Sequence, residues 1–197
     1  DWRDNDPQLE PLVEIFQGDR TNYESLEGPW AAKADDPATQ EGGFKPLGYV
    51  EQALLKGYKL GFQASSDHLS THLSYACILA ERNTREALRE AMQQRHAYAA
   101  TDNIILDVQS PSTDGPRMMG DAFTSSQAPT LQVKVLGTDT LREVVVIKDA
   151  RVVYTTQPER DTAEFTFTDM DAKAGKESYY YVRAVQKNER MAWSSPM

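Results

Sequence analysis

The 197-residue chain is 40% hydrophobic and 26% charged, ordinary for globular material and enough for one large domain or two small ones. Its net charge is −9 with a pI near 4.9, and its lysines and arginines are scattered, which excludes the basic patch that nucleic acid requires. No apolar run approaches the roughly 20 residues that span a bilayer, so no membrane partner is expected.

No signal peptide is visible, and the compartment stays open. The chain opens on Asp1-Trp2-Arg3-Asp4 without a methionine, which reads as a processed or cut piece of something longer. The single cysteine, Cys77, excludes an internal disulfide and any cysteine-rich zinc site. It lies in the apolar run Tyr75-Ala76-Cys77-Ile78-Leu79, which predicts a buried inert thiol.

In chain order, Leu12 to Phe16 reads as a short strand ending at Gln17-Gly18. Residues 18 to 46 are rich in Gly, Pro, Asp and Thr and read as a long irregular loop, a length that usually marks function or mobility. Gly48 to Lys56 reads as a helix with Val50, Ala53 and Leu54 on one face and Gly57 after its end. Leu60 to Ala64 is the next strand. His72 to Arg82 is apolar nearly throughout, so periodicity does not separate strand from buried helix. Thr84 to Arg95 is the clearest helix: Thr84 caps it, Glu86 sits in its first turn, and Ala87, Leu88, Ala91 and Met92 form its apolar stripe.

From about residue 128 the pattern becomes all-β. Leu131 to Val135 alternates, and Glu143–Lys148 and Arg151–Tyr154 flank a hairpin-like turn at Asp149-Ala150. Ala163 to Phe167 alternates as well. Tyr179, Tyr181, Arg183 and Val185 fall on one side of a strand, with Tyr180, Val182 and Ala184 on the other. Trp193 and the tyrosines of 179–181 read as sheet core and interface, with a sugar-stacking platform as the alternative.

Chemistry concentrates in Ser65-Ser66-Asp67-His68-Leu69-Ser70-Thr71-His72, directly after a predicted strand, where two of the chain's three histidines stand. Loops after strand C-termini carry function in βα units. Asp67 offers a hard anionic oxygen and His68 a neutral nitrogen, a donor mix suited to Zn, Mn or Fe. His68 and His72 are four apart and share a face if the segment is helical. The plain alternative is a capping aspartate beside a solvated histidine. A catalytic metal needs at least three protein ligands, and His96 is the only other histidine, so a complete site within this chain is not expected. Glu14, on a strand that could neighbour the Asp67 strand, is a candidate substrate contact, against a simple paired carboxylate. Arg20, in the long loop with Tyr23 and Glu24, is a candidate bidentate phosphate or carboxylate holder, against a surface role. His96 follows a helix end and reads as structural.

Several blocks together resemble a known family: Val13 to Arg20, Ser65 to His72, Thr84 to Ala87, Arg95 to Ile104, Tyr179 to Gln186, and Ala192 to Pro196. They look like the C-terminal portion of a PHP-type (polymerase and histidinol phosphatase) protein, and more narrowly like the DUF3604 branch. The resemblance implies α/β plus all-β architecture. Residues 1–107 would be the C-terminal part of a distorted TIM-like PHP barrel; the short strands and turn signals of 128–197 themselves suggest a small antiparallel β-sandwich, with the Pro- and Gly-bearing stretch 108–127 as the junction. The resemblance also implies a hydrolase of phosphoesters working with a cluster of divalent metal ions, to which a late Ser-Asp-x-His motif contributes. In this chain Asp67 is followed at once by His68, so Asp67 carries over and His68 and His72 are rivals for the second ligand. The early histidine motifs would lie in the missing N-terminal part, and a half-barrel would expose apolar edges prone to self-association. The rival reading is a non-catalytic barrel piece with a β-sandwich that serves a structural, partner-binding or carbohydrate-binding role.

Overall fold

A computed structural model describes residues 2–18, 22–31, 33–34, 44–68 and 72–197. It corrects the expected barrel. The chain is mostly β, 38% strand and 10% helix, and the described residues form three sheets and two α-helices and no closed barrel.

The first 65 residues hold one parallel unit. Strand β1 (Leu12–Gln17) is followed by a 3₁₀ turn (Pro46–Gly48), helix α1 (Val50–Leu55) and strand β2 (Gly61–Ser65). β1 and β2 pair parallel, with Leu12 opposite Gly61 and Gln17 opposite Ser65, and a register shift between Glu14 and Phe16. Helix α1 buries Val50, Ala53 and Leu54, the face its spacing predicts. Its start has no side-chain cap. The amides of Val50 and Glu51 donate instead to the carbonyls of Tyr23 (2.9 Å) and Glu24 (3.0 Å), which satisfies two otherwise unpaired donors.

After this unit the parallel pattern stops. Strand β3 (Tyr75–Ile78) returns through helix α2 (Arg85–Gln93) to β4 (Ala97–Ala100), and the two strands pair antiparallel. Helix α2 begins as expected, with Thr84 Oγ1 accepting from the Ala87 amide. It buries only Ala91, and Met92 is exposed. It is a half-exposed connector between antiparallel strands, so it does not supply the buried helix layer that a parallel barrel needs.

The remaining strands are β5 (Ile105–Ser110), β6 (Arg117–Met118), β7 (Thr130–Leu136), β8 (Leu141–Lys148), β9 (Arg151–Thr156), β10 (Thr162–Thr168), β11 (Tyr180–Gln186) and β12 (Met191–Ser194). They build a four-stranded sheet, β10-β7-β5-β6, and a six-stranded sheet, β3-β4-β12-β11-β8-β9. The six-stranded sheet joins strands from both sides of residues 108–127, and the four-stranded sheet takes β5 and β6 from within or across that stretch. The turn between β8 and β9 places Asp149 and Ala150 at φ 47° and 65°, the left-handed pair of a tight hairpin.

Two cores flank the six-stranded sheet. One face carries Tyr98, Val144, Val146, Tyr180, Val182 and Ala184 against Leu106, Val108, Val133 and Val135 of the four-stranded sheet. The other face carries Val145, Ile147, Tyr181, Val185 and Trp193 against Ile15, Phe62 and Ala64 of the parallel pair and Val50 and Leu54 of α1. Strand β11 is buried along its whole length because it is covered on both faces. Cys77 is partly buried, and burial raises its thiol pKa despite the opposing Tyr98 hydrogen bond, which keeps it in the unreactive form.

Candidate functional site

The parallel pairing of β1 and β2 brings their C-terminal ends side by side. The Gly18 amide donates to the Ser65 carbonyl at 2.8 Å, so both strands end together. A Cβ on Gly18 would lie 2.5 Å from Leu73 Cβ and 3.2 Å from Ser66 Cα, so this position admits only glycine's bare backbone.

Ser66 ties the foot of the following loop. Its Oγ accepts from the amides of Leu73 (2.8 Å) and Ser74 (3.0 Å) and donates to the Ser74 carbonyl (3.0 Å). Ser74 Oγ returns a hydrogen bond to the Ser65 carbonyl. Residues 66 and 73–74 are therefore clamped together, with Asp67 on one foot and His72 on the other.

Asp67 stands in the left-handed region at φ 57°, a conformation aspartate tolerates better than most residues. Its Oδ1 accepts from the His68 amide at 2.6 Å and lies 2.6 Å from His68 Nδ1. The His68 side chain is 80% exposed and that of Asp67 18%. With Asp67 ionised, the imidazole keeps its proton on Nδ1 and presents Nε2 to solvent, the arrangement of a carboxylate-oriented histidine. The backbone bends at Asp67, as sharing one site requires. Through Oδ1 the carboxylate meets the ring directly and so orients the histidine.

Glu14 lies at the base of the same loop. Its carboxylate is exposed and accepts a hydrogen bond from Ser65 Oγ. Arg20 lies outside the described residues. The His72 carbonyl accepts from the Tyr75 hydroxyl at 3.4 Å. Among the described residues, no group of three or more His, Cys, Asp or Glu side chains could hold a metal ion. His96 is remote in role as well as sequence: its Nε2 pairs with Asp121 Oδ1 at 2.8 Å, half-buried, and joins the start of β4 to the turn after β6.

Sequence reasoning gave no role to Glu24, a heavily bonded carboxylate. It is buried at 2% exposure and accepts from Arg183 Nη1 (2.9 and 2.8 Å), the Tyr181 hydroxyl (2.8 Å) and Trp193 Nε1 (3.0 Å). Burial and the Glu24 charge push the Tyr181 phenol well above its ordinary range. The available signal was Arg183 itself, an arginine alternating with apolar residues in a strand buried on both faces, which demands a buried counter-charge. Several acids between residues 14 and 36 compete for that role in the sequence. Trp193 is fully buried, stacked on Phe16 with ring centroids 6.0 Å apart, so it belongs to the core and presents no face to a sugar.

No family model matches the chain, and no solved structure matches it. It is similar to uncharacterized proteins of Chlamydia pneumoniae (28% identical over 97% of this chain and 34% of that protein) and Chlamydia trachomatis (26%, over 97% and 34%). A third, from Chlamydia muridarum, is 25% identical over 100% of this chain and 35% of its own length. The chain thus spans about a third of the curated relatives it matches. Among the described residues no helix is long and apolar enough to cross a membrane.

Proposed function

We propose that this chain is one part of a longer metal-dependent hydrolase, with phosphoesters as its substrate class, and that the loop after β2 contributes His68, oriented by Asp67, to that protein's site. The observation that carries the reading is the Asp67 Oδ1–His68 Nδ1 contact of 2.6 Å on an exposed ring. It leaves Nε2 for a metal ion or a proton. His72, on the other foot of the clamped loop, is the rival ligand. Glu14 faces solvent beside the same loop and is the candidate substrate contact, with Arg20 in the segment that follows β1.

The described residues alone do not fit a complete metal site, since none of their His, Cys, Asp and Glu side chains group in threes. The remaining ligands would come from the rest of a polypeptide of the relatives' length. Zn, Mn or Fe suits the donors, and a divalent ion held there would act as a Lewis acid toward a phosphoryl oxygen. What this chain's own residues do is orient an imidazole, keep its Nε2 accessible, and hold a carboxylate at the base of the loop.

Metal content by plasma mass spectrometry tests the reading, on the 197-residue chain and on the longer polypeptide, each beside His68→Ala and Asp67→Asn. Metal present in the longer protein and reduced in His68→Ala supports it. An unchanged metal content in His68→Ala and His72→Ala alike, or no metal in the longer protein, removes it.

A second reading is a non-catalytic module, part of a larger protein's scaffold. The two large antiparallel sheets and the doubly covered β11 favour it, because the strand pairing and both cores use no residue of the loop 66–74. Retained hydrolytic activity in a longer protein with residues 66–74 replaced by a short Gly-Ser turn would decide for it.

A further inference from the structure

The parallel pair is only two strands wide, and its two outer edges are treated differently. On the β2 side, the Phe62 amide turns away from β1 and is met by Ser195 Oγ at 2.9 Å. That hydroxyl also donates to the Ala97 carbonyl at 2.6 Å, so this edge is closed by the tail of the chain.

On the β1 side, the edge is closed only at its far end. The Gly61 amide donates to the Pro11 carbonyl at 2.8 Å, and Leu12 is the register partner of Gly61. In a parallel ladder the residues flanking the partner make the bonds, so Leu12, and Glu14 two residues on, turn their own N–H and C=O groups outward. Beyond them, the Tyr23 amide donates to the Ile15 carbonyl at 2.8 Å and Phe16 bridges antiparallel to Asn22. Among the described residues, nothing pairs with the outward groups of Leu12 and Glu14. Leu9, which leads into β1, is 81% exposed, and Leu55 of the crossover helix is 57% exposed.

We propose that the outer edge of β1 at Leu12–Glu14 seats an extended segment from the remaining part of the longer polypeptide. Two observations choose this occupant. Parallel sheets are built from several strands with both faces covered, and a lone parallel pair is an incomplete sheet. The relatives carry about two thirds of their length outside the stretch this chain matches, so the strand has a source within the same polypeptide. Main-chain pairing supplies the contact, as in strand addition to any open edge, and the exposed Leu9 supplies apolar surface beside it. The proposal stands apart from the metal reading: either can fail alone.

Amide hydrogen exchange tests it, resolved to single residues in the 197-residue chain and to overlapping peptides over residues 9–17 in the longer polypeptide. In the chain alone, Val13 is expected to be protected by β2 while Leu12 and Glu14 exchange freely. In the longer polypeptide, Leu12 and Glu14 are expected to slow by at least about 100-fold. Equal rates for Leu12 and Glu14 in the two forms would overturn the proposal. Protection in the 197-residue chain alone that rises with concentration, with a dimer seen in sedimentation equilibrium, would also overturn it, since a second copy would then be the occupant.

Discussion

Glu24 and Arg183, 159 residues apart, meet as a buried ion pair in which one guanidinium nitrogen reaches both carboxylate oxygens, at 2.9 and 2.8 Å. The pair joins the loop after β1 to the centre of the six-stranded sheet. Through the Glu24 carbonyl and the Glu51 amide it also fixes the start of α1. Arg183 Nε remains buried without a partner, so the arginine depends on Glu24 for its charge. Glu24→Gln is expected to destabilise the protein by about 3–5 kcal/mol, the usual penalty for leaving one buried charge unpaired. The double variant Glu24→Gln/Arg183→Met is expected to recover part of that loss. Denaturant unfolding midpoints check both, and a double variant no better than the single one would show that the pair acts through geometry rather than charge.

Ser195 has a comparable role at a single hydroxyl. Its Oγ receives the buried Phe62 amide at 2.9 Å and donates to Ala97 at 2.6 Å, holding β2 against β4. Close approach is also demanded at Gly61, where a Cβ would meet Leu12 Cδ2 at 2.6 Å and Arg95 Cβ at 2.8 Å. Ser195→Ala is expected to cost about 1–3 kcal/mol, the penalty of a buried donor left unmatched. Thermal unfolding would register it, and the Phe62 amide would exchange faster.

The His68 ring is 80% exposed although the Asp67 side chain is only 18% so, and a contact with one partner in solvent carries little of the stability. Asp67→Asn is expected to move the unfolding free energy by no more than about 0.5 kcal/mol. The same change is expected to abolish the preference of the imidazole for the Nδ1 proton, read from its ¹⁵N chemical shifts. A large loss of stability with an unchanged tautomer would assign Asp67 to the loop's fold instead of to His68.

Asp169 sets an acid limit. Burial disfavours its charge, but hydrogen bonds from Lys148 Nζ and the Tyr180 hydroxyl (2.6 Å) outweigh that, and its pKa falls below the usual 3.8. A lowered folded-state pKa stabilises the protein above the unfolded-state value and is lost as pH falls through the folded-state value. Melting temperature is therefore expected to drop as pH falls below about 4, and less steeply in Asp169→Asn. Glu51 has the opposite sign. Burial, then Glu24 and Glu27, raise its pKa, so its charge weakens the fold as pH rises through the carboxylate range. Glu51→Gln is expected to raise the melting temperature at neutral pH and leave it unchanged in acid.

Local pattern by itself determined several elements of this protein, though not β4, β5 or β6. The face of α1, the cap of α2, the Asp149-Ala150 turn and the two-sided alternation of β11 follow from periodicity and turn chemistry, which are properties of neighbouring residues. The same holds for the loop that clamps itself through Ser66 and holds His68 by Asp67, since every partner lies within ten residues. Tertiary structure alone decided how the elements combine. Residues 72–82, which hold β3, read equally as strand or buried helix, and only the antiparallel pairing of β3 with β4, and of β4 with β12, replaced the barrel by stacked sheets. Periodicity states which side of a strand is apolar and not which strand lies beside it, because pairing is settled by the long-range burial it allows. Glu24 was legible as one acid among many until Arg183, Tyr181 and Trp193 came together around it, a contact that exists only after the sheets have packed.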